Sequence, residues 1–177
     1  VGKYIVDKGL GSTKKENFRV LWLQNMLWFD IKVLGWMEKV YGAAVVMEAF
    51  GYQETALFDD FKDPEAVYMA LAKKALALPM IHGASGPVED YMKLVDQCMT
   101  DYDINVAMYV GHVACKHTWA AEKIIKDMIM EKYGVPAMSL DVDAIDRRYK
   151  SSEEIKAVIG ELLDTCLKAK KLNNPLI

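Results

Sequence analysis

The chain has 177 residues, 53% of them hydrophobic and 27% charged, with a formal net charge of −3. That suffices for one domain with a real core, and it argues against disorder and against the basic face of a nucleic-acid binder. No apolar run approaches the roughly 20 residues that span a bilayer, and the opening VGKYIVDKGLGSTKKENF has no apolar stretch of the secretory-signal kind. Residues 1–17 are polar and read as a lead-in segment, with 18–177 as a single domain. FRVLWL (18–23) is a short apolar run suited to a buried strand. Asp30 can cap a helix, IKVLGWMEKVYG, that ends at Gly42. AAVVMEAF (43–50) reads as a second buried strand and 51–63 as a loop. Asp63 followed by Pro64 starts a helix that runs to Pro79. MIHGASG (80–86) reads as a break, and Pro87 opens the helix PVEDYMKLVDQCMTDY. INVAMYVG (104–111) is a third strand, TWAAEKIIKDMIMEKYG a helix ending at Gly134, and VPAMSLDVD (135–143) a fourth strand. Ser151 or Ser152 caps a last helix, with Glu154 placed for a capping box on Ser151.

Strands therefore alternate with helices. The strands are continuous apolar runs, which means that both of their faces are buried. The expected fold is α/β: a doubly wound, four-stranded parallel sheet of the Rossmann or flavodoxin type, in the order 2-1-3-4, with helices on both faces. In such sheets the chemistry sits at the carboxyl ends of the strands. The loops expected there are 24–30, 51–63, 111–118 and DVDAIDRRY.

YVGHVACKHTWAAEKI (109–124) concentrates reactive side chains at that edge. Of three cysteines and three histidines in the chain, it holds Cys115, His112 and His117. Cys115 falls just before a helix start expected near Thr118, where the helix N-terminus favours a thiolate. Lys116 and His117 push the same way. A thiolate there can attack a carbon, carry redox chemistry or bind a soft metal, and a small buried core residue is the plainer alternative. His112 and His117 with Cys115 form a zinc set that lacks a fourth ligand. Trp28 and Trp119 lie near the same edge.

The remaining signals are weaker. HGASGP can cradle a phosphate at a helix start, although a connector before a Pro-started helix is the simpler reading. In DVDAIDRR the carboxylates are expected to pair with Arg147 and Arg148 rather than with a metal. Cys98 and Cys166 lie inside amphipathic helices and read as core. There is no CxxC and no disulfide framework, which points to a reducing compartment and hence to the cytoplasm. Neither G-x-G-x-x-G nor a Walker loop is present.

The stretch HVACKHTWAAEKIIKDMIMEKYGVPAMSLDVDAIDRRYKSSEEIKAVIGELLD resembles the C-terminal part of the 2-hydroxyacyl-CoA dehydratase / benzoyl-CoA reductase subunits, the 2-hydroxyglutaryl-CoA dehydratase D-component type. The resemblance rests on an ordered set: Cys115-Lys116 after a buried strand, Gly134-Val135-Pro136 opening the next, and Asp143 to Arg147 following it. ENFRVLWLQNMLWFD resembles the family's Arg-Leu-Leu-Trp segment, so the likeness covers roughly residues 16–165. In LQNMLWF this chain departs from relatives that carry a Gly or Pro before the Trp, in a loop that lies near the family's substrate.

The resemblance implies a [4Fe–4S] cluster held by cysteines between this domain and an earlier one, with Cys115 as one iron ligand. Neither Cys98 nor Cys166 matches another. His112, Lys116, His117, Trp119 and Trp28 would line the edge of the site. It further implies a heterodimer with a homologous second subunit, an ATP-dependent iron–sulfur activator protein and an acyl-CoA substrate. One injected electron would make a ketyl radical anion of the thioester, which expels the hydroxyl. Two alternatives share the scaffold. One is a benzoyl-CoA reductase subunit that reduces an aromatic ring, and the other a non-catalytic module that binds acyl-CoA or a partner. Either way the resemblance implies the C-terminal domain of a longer subunit, inactive when isolated.

Overall fold

A computed structural model of the chain describes residues 4, 7–11, 13, 15–52 and 61–173. The elements run β1 (Phe18–Gln24), α1 (Lys32–Tyr41), β2 (Ala43–Glu48), a 3₁₀ turn (Ala49–Gly51), α2 (Pro64–Ala77), α3 (Pro79–Ser85), α4 (Val88–Tyr102), β3 (Val106–His112), α5 (Lys116–Tyr133), β4 (Ala137–Val142) and α6 (Ser152–Asn173). The four strands form one parallel sheet in the order β2-β1-β3-β4. The expected α/β fold and strand order are thus observed.

The period of two along the central strands divides the core into two layers. Phe18, Val20 and Trp22 of β1, with Val106, Met108 and Val110 of β3, pack against Val33 and Met37 of α1 and Ile155, Ile159 and Leu163 of α6. Leu21 and Leu23, with Ala107 and Tyr109, face Tyr91, Val95 and Cys98 of α4 and Ile125 and Ile129 of α5. Both faces of β1 and β3 are therefore covered, which is why their sequences show no polar alternation. Among the described residues, no helix is long and apolar enough to cross a membrane.

The helix ends follow their local chemistry. The Asp63 carboxylate accepts from the Glu65 N–H at 3.0 Å, with Pro64 at the first helical position. Ser151 and Glu154 make the expected capping box, the Glu154 carboxylate accepting from Ser151 N–H at 2.8 Å and the Ser151 hydroxyl from Glu154 N–H at 3.3 Å. Gly42 ends α1 at φ +64, and a Cβ there would meet the Lys15 carbonyl oxygen at 2.5 Å.

Three expectations are corrected. MIHGASG is no break, because Pro79 nucleates the short helix α3 after an extended Leu78. With HGAS inside that helix, its N–H groups are no open phosphate cradle. Ala49 and Phe50 leave the second strand in a 3₁₀ turn, which the Glu48 carboxylate caps by accepting from Phe50 N–H at 2.9 Å. The helix after the third strand starts at Lys116, two residues before the expected position. Most of the loop expected over 51–63, residues 53–60, lies outside the described residues.

Candidate functional site

Strand β3 ends at His112, and the chain reaches α5 through one tight turn. Val113 N–H donates to the Val142 carbonyl at 2.7 Å, and Cys115 N–H to the His112 carbonyl at 3.1 Å. Ala114 takes the left-handed conformation, φ +61, which a non-glycine residue adopts only at a cost of about 1 kcal/mol or more. The turn places Cys115 at the N-cap of α5, its carbonyl accepting the helix's opening bond from Trp119 N–H at 3.2 Å. Its side chain thus meets the unpaired N–H groups of the first turn.

The sulfur makes no regular cap hydrogen bond to them, and its partner of regular geometry is a side chain. The Thr118 hydroxyl lies 3.2 Å from Sγ. That hydroxyl first, and then the Thr118 and His117 N–H groups, hold the Cys115 thiol below its ordinary value despite partial burial. The other thiols differ. Burial pushes Cys98 up to about 12 and also raises Cys166.

The other candidate residues take distinct positions. His112 Nδ1 accepts from Ala144 N–H at 3.2 Å and so clips β3 to the loop after β4. Trp119 donates from Nε1 to the His112 carbonyl at 3.1 Å and lays its ring on Gly111. Lys116 and His117 are exposed on the first turn of α5. Trp28 is 67% exposed, with its N–H bonded to the Ala144 carbonyl at 3.0 Å. The loops after β1 and β4 therefore meet beside the turn that carries Cys115.

A second set of residues was not evident from the sequence. Gln24, the last residue of β1, is 3% exposed and has φ +72. Its Nε2 donates to the Tyr109 hydroxyl at 3.1 Å. Tyr109 in turn donates to the Thr118 carbonyl at 2.5 Å, and the Thr118 hydroxyl lies 3.3 Å from Gln24 Oε1. These contacts close a ring of three buried side chains behind Cys115. The fully buried Tyr91 hydroxyl lies against Gln24 and Tyr109 and, among the described residues, has no hydrogen bond of regular geometry. The available sequence signals were a glutamine ending the run FRVLWLQ and a tyrosine inside VAMYVG.

The acids at the end of β4 and in the loop after it are used locally. Asp143 accepts from Ile145 and Asp146 N–H, each at 2.9 Å, and those bonds hold its carboxyl low. The Arg148 guanidinium grips Asp146 and holds its carboxyl near 2. Asp141 accepts from Lys150 at 2.5 Å and from Tyr149 at 2.7 Å. Arg148 pairs as expected, whereas Arg147 is exposed and makes no such pair among the described residues.

Residues 4–165 match the family described as 2-hydroxyglutaryl-CoA dehydratase, D-component. The chain belongs to that family. Its members are components of 2-hydroxyacyl-CoA dehydratases, so the chain is a dehydratase-type enzyme subunit. Comparison with curated proteins gives no match.

The family is known for iron–sulfur dehydratases, and the donor set can be tested against such a group. Cys115 fits one position. It is a half-buried thiol at a helix N-terminus, held below its ordinary value with the Thr118 hydroxyl beside the sulfur, the setting that suits an iron ligand. A [4Fe–4S] cluster takes four such ligands. Among the described residues, no three His, Cys, Asp or Glu side chains come together to hold a metal. Among the described residues, Cys115 therefore fits one ligand position of such a cluster.

Proposed function

We propose that the chain is the sheet domain of a longer dehydratase subunit and that Cys115 ligates one iron of a [4Fe–4S] cluster. The other ligands come from residues beyond those described. The observation that carries this reading is the Cys115 sulfur, presented at the head of α5 with the Thr118 hydroxyl 3.2 Å away. When bound, the cluster supplies low-potential electron transfer and a Lewis-acidic iron for a leaving hydroxyl.

The chain's own residues do the positioning. Cys115 supplies a thiolate, and Thr118 and the first-turn N–H groups stabilise its charge. Trp119, bonded to the His112 carbonyl, covers the turn on one side. His112 ties the turn to the loop of Ala144, which in turn holds Trp28 at the rim. The exposed indole of Trp28 offers an apolar surface for the acyl group or for the facing domain.

The substrate is a 2-hydroxyacyl-CoA; after one electron is added to its thioester it loses the hydroxyl as hydroxide and a proton from the β-carbon, and the electron is given back as the 2-enoyl-CoA forms, so the dehydration is redox-neutral. The partners are a homologous second subunit and an ATP-dependent iron–sulfur activator. Turnover by the anoxic complex with its activator tests this. The reading expects the 2-enoyl-CoA from a 2-hydroxyacyl-CoA and no product from benzoyl-CoA. A reduced ring from benzoyl-CoA would move the protein to the aromatic-reductase branch. No product from either would leave a non-catalytic binding module.

A further inference from the structure

The proton bookkeeping of the buried ring behind Cys115 is fixed by its acceptors. The Thr118 carbonyl can only accept, so the Tyr109 hydroxyl gives it its one proton, at 2.5 Å. Tyr109 then accepts from Gln24, whose Nε2 lies 3.1 Å from the phenol oxygen. The amide's Oε1 consequently faces the Thr118 hydroxyl, at 3.3 Å. A carbonyl oxygen only accepts, so on that side Thr118 is the donor. The same hydroxyl lies 3.2 Å from Cys115 Sγ, and a thiolate also only accepts. One proton therefore faces two acceptors at nearly equal distance.

We propose that Gln24 is a positioning residue for Cys115, sharing the single hydroxyl proton of Thr118 with the Cys115 sulfur. The geometry supports a built arrangement. Gln24 is buried and held at φ +72, a conformation that glutamine adopts rarely and only where its surroundings enforce it. Thr118 is 4% exposed, so water does not replace either bond. Gln24 thereby weakens the hydrogen bond to the sulfur, and the more negative the sulfur becomes, the more of the proton it draws. A hydrogen bond to a cluster sulfur favours the reduced, more negative state and raises the potential. Gln24 would thus hold that potential lower than Thr118 alone would set it.

The proposal rests on the reading of Cys115 as an iron ligand, and the two can be separated. The first measurement is the cluster midpoint potential, by EPR-monitored redox titration of the anoxic complex. Thr118→Val should shift it to more negative values and Thr118→Ser should restore it. Gln24→Met should shift it to more positive values. Opposite signs are the signature, because a merely structural role moves both variants the same way. Should Gln24→Met fail to fold, Tyr109→Phe releases the amide's orientation and is expected to act with the same positive sign. Shifts of one sign, or none, would overturn the proposal while iron loss in Cys115→Ala still upheld the ligand reading.

If Cys115→Ala keeps its iron, the ligand reading fails and alkylation of Cys115 in the cluster-free chain decides the proposal. A lost hydrogen bond cuts the thiolate fraction about tenfold, and about half of that, on a logarithmic scale, returns as nucleophilicity. Thr118→Val should then react about threefold more slowly at neutral pH, and Gln24→Met faster than wild type. Equal rates in all three would refute the shared proton.

Discussion

The contact between Gly111 and Trp119 supports the whole turn, and Gly111→Ala tests it. A Cβ at residue 111 would lie 2.5 Å from Cζ2 of Trp119 and 2.8 Å from both Cε2 and Cη2. Ordinary carbon contacts lie near 3.5–4.0 Å, so the ring must retreat by about 1 Å. It is not free to do so, since its Nε1–H is bonded to the His112 carbonyl at 3.1 Å. Overpacking costs roughly 1–3 kcal/mol and a lost hydrogen bond about 1 kcal/mol, giving about 2–4 kcal/mol in all. For a chain of this size, each kcal/mol lowers Tm by about 2–4 °C. Urea denaturation should show the loss as a lower midpoint with an unchanged slope. Trp119→Leu provides the control, because a smaller side chain leaves room for the methyl group. In that background Gly111→Ala should cost at least about 1 kcal/mol less than in wild type. A cost below about 0.5 kcal/mol in the wild-type background, or one that Trp119→Leu leaves unchanged, would refute the packing argument.

Ser151→Ala removes the two bonds of the Ser151 hydroxyl, accepting from Glu154 N–H and donating to its carboxylate, while the Ser151 N–H keeps its bond to that carboxylate; the change should cost about 1 kcal/mol in urea melts, while Ser151→Thr should cost much less. Lys150 and Tyr149 hold the Asp141 carboxyl below its ordinary value of 3.8. Its contribution is therefore present above that value and fades as pH falls through the lower folded-state value. Stability profiles of wild type and Asp141→Asn should accordingly converge below about pH 4; parallel profiles down to pH 2 would remove that role. In the cluster-free native chain Cys115 should alkylate first and Cys98 last. Cys98 is fully buried with its thiol near 12, whereas Cys115 is half-buried with its thiol lowered. Peptide mass spectrometry reads the order, and early labelling of Cys98 would contradict the packing under α4.

The fold was legible because FRVLWL and INVAMYVG are apolar on both faces. That pattern fits only a strand covered on both sides, and the intervening helices impose parallel crossovers. Caps at Asp63 and Ser151 were legible because their partners lie two or three residues away. The helix α3 was hidden because Gly83 and the residues around it suggest a turn. In the structure Gly83 lets the helix lie on Tyr91, where a Cβ would come within 3.0 Å of the ring, a contact made across sequence distance. Cys115 was legible as a thiol near a helix start, although the start itself was misplaced by two residues. Gln24 and Tyr109 were not. Each is one polar residue in or beside an apolar run, and only the pairing of β1 with β3 and the descent of α5 bring them to Thr118. Such rings, made by residues 85 and 94 positions apart, leave no local pattern to read.

The assignment of Cys115 as an iron ligand is tested most directly by iron and acid-labile sulfide in the complex purified without oxygen, for wild type and Cys115→Ala. The account predicts that the variant stays folded, by circular dichroism and Tm, and loses about four irons and four sulfides, one cluster's content. A variant with wild-type iron and sulfide, or a wild-type complex that holds neither, would contradict it and leave Cys115 a thiol at a helix start with no iron to bind.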